Sequence, residues 1–508
     1  MLKKDKESTC VLTLPLIVER WQADRIDHRL EAGRLMYNAL VGVMLKRYYK
    51  LLRDSEYKEI MQRLNEDNKN KELWRRRAEL LKKWGFRLRA KAGLSSFESE
   101  IDPMRKHFIC IQAQTGHKIA ASAYRAFEKL LNGNGKKVRF KRKGEFNSLE
   151  GKSNKSDIRY NEGTVKWKGL LLKVKLDGNN IYESEMLNKP IKYCRILRQT
   201  IRGRKRYYVQ LSLEGVPAVK RKREDGSFSR TVGKSRVGLD IGTKTLAICS
   251  EKCVELIELA DRIGDIESEK RRIQRKMDRS RRLCNPNNYT MDGQVKRGIK
   301  LEWIKSNHYI SLSDKLRELY RKQAAIRKYQ HILLANHILE MGTEIYVEQM
   351  NFSALQRRAC KTEKNAKGRF KRKKRFGKSL ANKAPSMFLT ILDNKLKALN
   401  GRGLYKVDKW EFKASQYDHL SKTYSKKSLS KRIHILENGD IIQRDLYSAF
   451  LIMNCSDDLK SPDTERCKGS YDQFKTMHDN YMKLLFRSNK LMPSSMGVNQ
   501  LKEAGANF

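Results

Sequence analysis

Alternating apolar and polar residues predict β-strands at several places in this 508-residue chain. In the segment 235–249, Val237, Leu239 and Ile241 would face one side of such a strand. Asp240 would face the other side, between two glycines. Acids are disfavoured within strands, so this carboxylate calls for a chemical explanation.

The remaining patterns predict a long mixed series of strands and helices. After a first strand in VLTL, near-helical spacing of apolar residues predicts helices as far as about residue 131. Strands are predicted to dominate from about 156 to 215, with a hairpin whose tip is Gly203. The second half contains these predicted elements: a strand pair at 236–250, a basic helix at 271–282, strands at 344–349 and in VDKWEFK, a helix over about 384–399, an Asn-Gly turn in 435–442, a helix in 445–454, and an amphipathic helix over about 471–487.

The charge balance points to a polyanionic partner. The chain has 110 Lys and Arg against 58 Asp and Glu, a formal net charge of +52. Self-repulsion of this size destabilises a compact state unless a polyanion offsets it, which favours nucleic acid or an anionic membrane surface. No segment approaches the ~20 apolar residues that a spanning helix needs, so we expect no membrane partner.

Length and cysteine content indicate a large protein of a reducing compartment. About two to four domains are expected at this length. The nine cysteines are scattered and odd in number, which favours free thiols over a disulfide framework. The N-terminal apolar run contains Pro15 and no small-residue cleavage site, so a first strand is predicted there instead of a signal peptide. We therefore expect a cytoplasmic protein.

Two further acids stand in settings similar to that of Asp240. Glu348 ends the apolar run EIYVEQ, and Asp445 opens the predicted helix DLYSAFLIMN. Each acid also has a simple structural interpretation: Asp445 as a helix N-cap, Glu348 as a solvated strand end, and Asp240 as part of a turn. Together they fit a different explanation, because Mg²⁺ prefers carboxylate oxygens and two such ions can clamp a reacting phosphodiester. On this hypothesis, Gly238 and Gly242 leave room for the metals and a nucleic-acid backbone.

The segments GLDIGTKTLAIC, IYVEQMNF and QRDLYSAFLI resemble the three acidic motifs of a RuvC-like nuclease. Their order is similar to that in TnpB and the miniature type V CRISPR effectors. The resemblance implies that Asp240, Glu348 and Asp445 are the catalytic residues and hold Mg²⁺, with two ions expected. It also implies a multidomain α+β and α/β fold, in which a β-barrel wedge domain with a helical recognition insert precedes an RNase H-like RuvC domain with a small degenerate zinc-ribbon-like insert.

The same resemblance implies the domain boundaries. They are a wedge domain at 1–16 and 133–233, a helical recognition domain at 17–132, a RuvC-like nuclease domain at 234–410 and 443–455, a degenerate zinc-ribbon-like insert that binds target nucleic acid at 411–442, and a C-terminal tail at 456–508.

The insert departs from the family pattern, which has two CxxC pairs. Ile435 and Asn438 stand where the second pair would fall, and no cysteine lies between 360 and 455. His419 and His434 remain, but two histidines are more often packing or surface residues than half a zinc site. We therefore expect no zinc, and we expect the ENGD hairpin to be held by apolar packing of Ile433, Ile435, Ile441 and Ile442.

Three basic segments are candidates for binding nucleic acid, although each could be a solvated charge run instead. One is a strand-like segment that interleaves an aromatic residue with cations, one is the helix at 271–282, and one is the loop at 361–378. The candidate residues are Lys136, Lys137, Arg139, Lys141, Arg142, Lys143, Arg272, Arg275, Lys276, Arg279, Arg282, Arg369, Lys371 and Arg372. We expect Trp21, Trp74 and Trp84 to lie in the core instead of stacking on bases.

The sequence and the resemblance lead to one main functional hypothesis. It is an RNA-guided, Mg²⁺-dependent DNA endonuclease whose partners are a guide RNA and a double-stranded target DNA with a short flanking motif, acting as a monomer in a prokaryotic cytosol. Three alternatives remain: a guide-independent RuvC-like nuclease, a nuclease-inactive RNA-guided repressor, and a non-catalytic RNA-binding scaffold. The presence of all three acids counts against the repressor.

Overall fold

The computed structural model describes residues 8–86, 96–222, 225–356, 368, 376–428, 430–487 and 496–503. The chain divides into two compact units, Met1–Ala218 and Val219–Phe508. None of the helices in the described ranges has both the length and the apolar character that a membrane span requires. The finer division into five segments stays a prediction.

The first unit is built on an antiparallel sheet of seven strands, in the order β2-β6-β7-β1-β5-β4-β3. The sheet is nearly closed, since β3 at one edge contacts β6 next to the other edge. Its strands are β1 (Thr9–Ile17), β2 (Ser148–Glu150), β3 (Ile158–Asn161), β4 (Thr164–Trp167), β5 (Leu170–Val174), β6 (Ile191–Ile201) and β7 (Arg204–Glu214). The predicted hairpin between β6 and β7 is confirmed, with Gly203 at its tip at φ +77°.

Most helices of this unit lie between β1 and β2 in the chain. They are α1 (Arg20–Leu51), α2 (Ser55–Glu66), α3 (Lys71–Lys83), α4 (Ser96–Lys106) and α5 (Ala113–Leu131), and α6 (Ile181–Leu187) follows β5. A capping box between Glu19 and Gln22 begins α1. Arg29 then fixes this helix to the sheet, because its guanidinium donates to the Trp167 carbonyl at 2.7 Å and covers the indole ring.

Two expectations for this unit were wrong. Residues 136–143 form a loop and no strand, because α1 binds the backbone there: Asn38 exchanges two hydrogen bonds with the backbone of Lys141, each 2.8 Å. Trp21 and Trp74 do not lie in the core, since they are 47% and 45% exposed. Only Trp84 packs against the core.

The second unit contains a five-stranded sheet in the order β10-β9-β8-β11-β12. Its strands are β8 (Ser235–Ile241), β9 (Thr245–Ser250), β10 (Val254–Glu258), β11 (Gly342–Glu348) and β12 (Tyr405–Val407), and two short hairpins follow, β13 (Tyr417–Asp418) with β14 (Thr423–Tyr424) and β15 (Ile433–Ile435) with β16 (Ile441–Gln443). Strand β11 runs parallel to both β8 and β12, whereas β8, β9 and β10 are antiparallel.

Helices cover both faces of this sheet. They are α7 (Gly264–Leu283), α8 (Asn307–Met341), α9 (Phe352–Gln356), α10 (Gly377–Lys383), α11 (Pro385–Asn400), α12 (Lys409–Phe412), α13 (Arg444–Met453), α14 (Thr464–Arg487) and α15 (Val498–Glu503). Val237, Leu239 and Ile241 join α8 and α11 in one core, as the alternation predicts. The other face packs against α13 and α14. The C-terminal segment is therefore part of the core of this unit, and its helix begins earlier than predicted.

Candidate active site

Two of the predicted acids lie at the same end of adjacent parallel strands. Leu239 of β8 pairs with Val347 of β11, so Asp240 and Glu348 both come one residue later. Parallel strands bring their carboxyl ends to one edge of a sheet. The local pattern therefore places two carboxylates side by side, although they are about a hundred residues apart in sequence.

The third acid reaches this edge on helix α13, which packs across β8 and β9. Asp445 lies in the first turn of the helix but does not cap it. The N-cap is Gln443, whose side chain accepts a hydrogen bond of 2.7 Å from the Leu446 N–H. The simple interpretation of Asp445 as an N-cap is therefore wrong, and its carboxylate is available for other partners.

Electrostatics link the three carboxylates. The pKa of Asp240 is raised well above its usual range by burial first, then by the negative charges of Asp445 and Glu348. Burial also raises the pKa of Glu348, while the nearby Lys409 ammonium counteracts that effect. The strand register and the packing of α13 on β8 and β11 place the three acids in one neighbourhood at this end of the sheet.

Two arginines form ion pairs with Asp445, one with each carboxylate oxygen. The Arg432 guanidinium lies 3.4 Å from Oδ2, and the Arg444 guanidinium lies 3.1 Å from Oδ1. Both cations also act to lower the pKa of Asp240, against the effects of burial and of the other acids. The site therefore has a cationic side at Asp445, whose charge only partly offsets the effects of burial and of the other acids on Asp240.

The chemistry of the donors fits a divalent cation, since three mutually repelling carboxylates are stabilised as anions by a bound metal. Their present arrangement is not a closed ligand set: within the described ranges no group of three or more His, Cys, Asp and Glu side chains could hold a metal ion. Asp445 in particular is engaged elsewhere, because each of its two oxygens is paired with an arginine.

Gly238 has a different role from the one predicted. A Cβ at this position would overlap with the Ala449 carbonyl oxygen and lie 2.5 Å from the Met453 backbone nitrogen. The absent side chain thus makes room for helix α13, and not for a metal or a phosphate backbone. A Cβ at Gly242 would meet only ordinary contacts, the nearest being Thr245 Oγ1 at 3.4 Å.

Several residues of the site were not predicted. Arg432 reaches Asp445 because the β15–β16 hairpin continues one pair beyond Ile433 and Gln443. The predicted Asn-Gly turn is the local signal for that pairing. Lys409 and the 73% exposed Trp410 follow β12, next to Glu348. The Lys409 ammonium lies 4.7 Å from the centre of the Trp410 ring. The sequence predicts a plain strand over this segment, whereas the structure has a turn of helix after β12 that Asp408 caps; Asp is a favoured N-cap residue and is the local signal for it.

The insert contains the predicted Asn-Gly hairpin, with Gly439 at φ +85°. Both histidines are buried in an aromatic cluster: His419 Nδ1 lies 2.8 Å from the Tyr447 hydroxyl, and the His434 ring is 4.7 Å from the Tyr447 ring. Ile442 is fully buried, as expected, but Ile435 is 48% exposed and does not hold the hairpin. The expectation that no zinc is bound stays a prediction.

The basic helix α7 is confirmed as a helix but only part of its predicted face is available. Arg282 pairs with Asp278 at 2.9 Å, and Arg272 lies 3.9 Å from Glu269. A cavity of about 500 Å³ is lined by Arg271, Gln274, Arg275, Asp278 and Arg279. Within the described part of the chain, Arg275, Lys276 and Arg279 are exposed and form no ion pair. Arg275 and Arg279 also line this cavity, together with the similarly unpaired Arg271, and are therefore predicted residues that remain available for phosphates.

Of the two other candidate segments, the structure describes only the segment 136–143 in full. Five of its cations are exposed and Lys141 is half-buried, beside Phe140 at 52% exposure. The exposed cations are Lys136, Lys137, Arg139, Arg142 and Lys143. Arg369, Lys371 and Arg372 lie outside the described residues.

No protein-family model matches the chain, and none of the curated proteins matches it. Among solved structures, it is similar to Cas12f1 bound to a single-guide RNA and target DNA, with a TM-score of 0.38 and 13% identity over 88% of this chain and 99% of the other. It is also similar to a CRISPR-Cas12f ternary complex, with a TM-score of 0.24 and 12% identity over 86% and 85% of the two chains. A Cas12i–crRNA–double-stranded DNA complex gives a TM-score of 0.23 and 10% identity over 92% and 65%. All three TM-scores are below 0.5, and the function proposed below does not depend on them.

Proposed function

We propose that this chain is an RNA-guided, Mg²⁺-dependent DNA endonuclease with one site formed by Asp240, Glu348 and Asp445. The observation that supports it is structural: Asp240 and Glu348 each follow a residue of the paired strands β8 and β11, and Asp445 opens helix α13, which packs on both strands. Perturbed carboxylates at a sheet edge, in a chain of net charge +52, are typical of a site that acts on a polyanion.

The three carboxylates would hold Mg²⁺, which supplies charge stabilisation and a more acidic water for phosphodiester hydrolysis when bound. Asp240 and Glu348 are fixed by the strand ladder, so their positions change little. Asp445 is carried by helix α13 and is held by its two arginines. Each carboxylate thus has a defined support in the fold.

Lys409 and Trp410 would contact the target strand beside the carboxylates. Trp410 exposes most of its ring, and an aromatic face stacks on any base, which suits a site without sequence preference. Lys409 already lies near Glu348 and could bind an adjacent phosphate. Sequence would be read by pairing of the guide RNA with the target, while the protein reads duplex shape and a short flanking motif.

One observation favours a second candidate, RNA-guided DNA binding without cleavage. Both oxygens of Asp445 are bound to arginines, and a permanently occupied carboxylate could not hold a metal. The two candidates differ in a single measurable property, since both require guide-dependent binding and only the first requires Mg²⁺-dependent product.

The test begins with the RNA that co-purifies with the full-length chain, which is sequenced to define the guide. The complex is then incubated with Mg²⁺ or with EDTA and a matching duplex library whose flanking positions are randomised. We expect cleaved product only with Mg²⁺ and only beside particular flanking sequences. Guide-dependent binding with no cleavage supports the second candidate, and cleavage independent of the guide overturns both.

A further inference from the structure

The two arginines on Asp445 are held in different ways. Arg444 is buried, and its guanidinium also donates to the Lys431 carbonyl at 2.7 Å. Its side chain is therefore held in place by the backbone that precedes β15. The side chain of Arg432 is 26% exposed, and within the described ranges it forms an ion pair with Asp445 alone. Arg432 is therefore the partner that can leave.

The C-terminal helix α15 fixes the backbone of Arg432. The Arg432 N–H donates to Gln500 Oε1 at 2.7 Å, and Gln500 Nε2 donates to the Ser430 carbonyl at 2.9 Å. Gly497 packs against the same residue so closely that a Cβ there would overlap with the Arg432 side chain. Helix α15 and the glycine before it thus hold the short backbone segment 430–432 in place.

Further hydrogen bonds connect this segment and the C-terminal helices to the start of helix α13, which carries Asp445. The Arg444 N–H donates to the Arg432 carbonyl at 2.9 Å, and the Gln443 side chain donates to the Met496 carbonyl at 3.1 Å. Gln443 also donates its N–H to His478 of α14 at 3.0 Å. The C-terminal helices therefore determine where Arg432 stands relative to Asp445.

We propose that Arg432 is a positioning residue that competes with Mg²⁺ for Asp445 and that helix α15 keeps it in the competing position. The inference rests on the proposed metal site. The Arg432 guanidinium repels an incoming cation and occupies lone pairs of Oδ2 that the metal would use, so metal binding is favoured when Arg432 moves away from Oδ2. The apparent metal affinity is then reduced by the fraction of molecules in which Arg432 stays engaged.

The expected effect is modest because the ion pair is partly exposed. Releasing Arg432 should increase the apparent metal affinity by about 2- to 6-fold, the range of a partly exposed ion pair converted to a population shift. Releasing it through Gln500→Ala should act in the same direction but less strongly, since the side chain of Arg432 can still find Asp445.

The measurement uses Fe²⁺ as the probe in the full-length complex with its co-purifying RNA. With added hydrogen peroxide and ascorbate, Fe²⁺ at a magnesium site reduces the peroxide to a hydroxyl radical and hydroxide, and ascorbate restores the Fe²⁺. The radicals cut the nearest backbone, so cuts near residues 240, 348 and 445 report this site and not metal bound to RNA. The Mg²⁺ concentration that halves these cuts gives the apparent affinity without any measurement of DNA cleavage. Variants are Arg432→Gln, Gln500→Ala and, as a control of equal charge loss, Lys431→Gln, whose exposed side chain has no ion pair with Asp445 in the described ranges.

We expect Arg432→Gln and Gln500→Ala to lower the Mg²⁺ concentration needed, and Lys431→Gln to leave it within about 2-fold. An unchanged or weaker affinity in both test variants overturns the competition, and Arg432 would then support the bound state. Equal effects of Arg432→Gln and Lys431→Gln overturn it as well, because only general charge would matter. If Asp445→Ala leaves the local cuts unchanged, the proposed metal site fails, and not merely the role of Arg432.

Discussion

Gly238 lies so close to Ala449 that a Cβ added to the glycine would stand 2.0 Å from the Ala449 carbonyl oxygen, where helix α13 packs on strand β8. This contact sets the height of the helix above the sheet. Because Asp445 lies one turn before Ala449, the same contact sets the position of Asp445 relative to Asp240. A glycine in a strand is thus explained by close packing of two backbones.

Gly238→Ala should destabilise the Val219–Phe508 unit by about 3 kcal/mol, the upper end of overpacking costs, because backbone atoms on both sides of the new methyl cannot rotate away. Hydrogen exchange of β8 and α13 in the full-length chain measures the loss of protection. Gly242→Ala is the matched control, since its new methyl meets only ordinary contacts and should cost less than about 1 kcal/mol. Equal protection in both variants would show that the helix can lift without cost.

Replacing any one of the three carboxylates should abolish most cleavage while target binding is kept. Residues that act as a unit are strongly non-additive, so the triple variant should be little worse than Asp240→Ala, Glu348→Ala or Asp445→Ala alone. Cleavage with Mg²⁺ and binding to the guide-matched duplex are measured separately. Near-normal cleavage by one variant would remove that residue from the site, and joint loss of binding and cleavage would point to a role in folding.

Trp410→Ala should weaken binding of the target strand at the site and leave the rate of the chemical step little changed. Loss of one stacking contact is worth about 1–3 kcal/mol, which corresponds to an increase in KM of about 5- to 150-fold with kcat little changed. Trp410→Phe should restore much of the effect, because it keeps an aromatic face. Trp74→Ala, at a 45% exposed position of the other unit, is the control and should leave KM unchanged. A fall in kcat alone would place Trp410 in the catalytic step instead.

Local patterns predicted the parts of the site that local physics determines. The strand around Asp240, the strand that ends at Glu348 and the helix that begins near Asp445 follow from side-chain periodicity, and the structure contains all three. Their convergence was expected from the family resemblance, since separations of about a hundred residues contain no geometric information.

Contacts made by distant elements could not be predicted. The backbone of Lys141 is bound by Asn38, a residue of another helix, so the alternating pattern around it did not produce a strand. Arg432 meets Asp445 through a hairpin that the C-terminal helix holds in place. The first outcome is a tertiary contact that overrides local preference, whereas the second adds a long-range support from α15 to a hairpin that the Asn-Gly turn predicts.

The buried histidines should make the second unit sensitive to mild acid. Burial, with nearby Lys427, lowers the pKa of His434 to about 4, whereas an unfolded chain has a histidine pKa of about 6.5. The unfolded state therefore binds the proton first, and the stability present above pH 6.5 is lost as the pH falls from about 6.5 to about 4. The full loss from this residue is about 3 kcal/mol.

His434→Phe should flatten that dependence, because it removes the titrating group and keeps an aromatic ring beside Tyr447. Urea unfolding of the full-length chain, followed between about pH 7 and pH 4.5, measures the slope. His308→Gln, at an exposed position of α8, should leave the slope unchanged. A slope that His434→Phe does not alter would assign the acid sensitivity to the other buried histidines.

Arg275 and Arg279 should carry part of the salt dependence of RNA binding. Each phosphate contact contributes about 0.7–0.9 to the slope of log affinity against log salt concentration, so Arg275→Gln with Arg279→Gln should reduce the slope by about 1.4–1.8. The matched control is Arg281→Gln with Arg282→Gln, which removes the same charge from the same helix. Those two side chains already pair with Asp278, so their loss releases few counterions from RNA and should change the slope much less. Equal changes in the two double variants would mean that α7 acts only through its net charge, and an unchanged slope in both would place the RNA elsewhere on the protein.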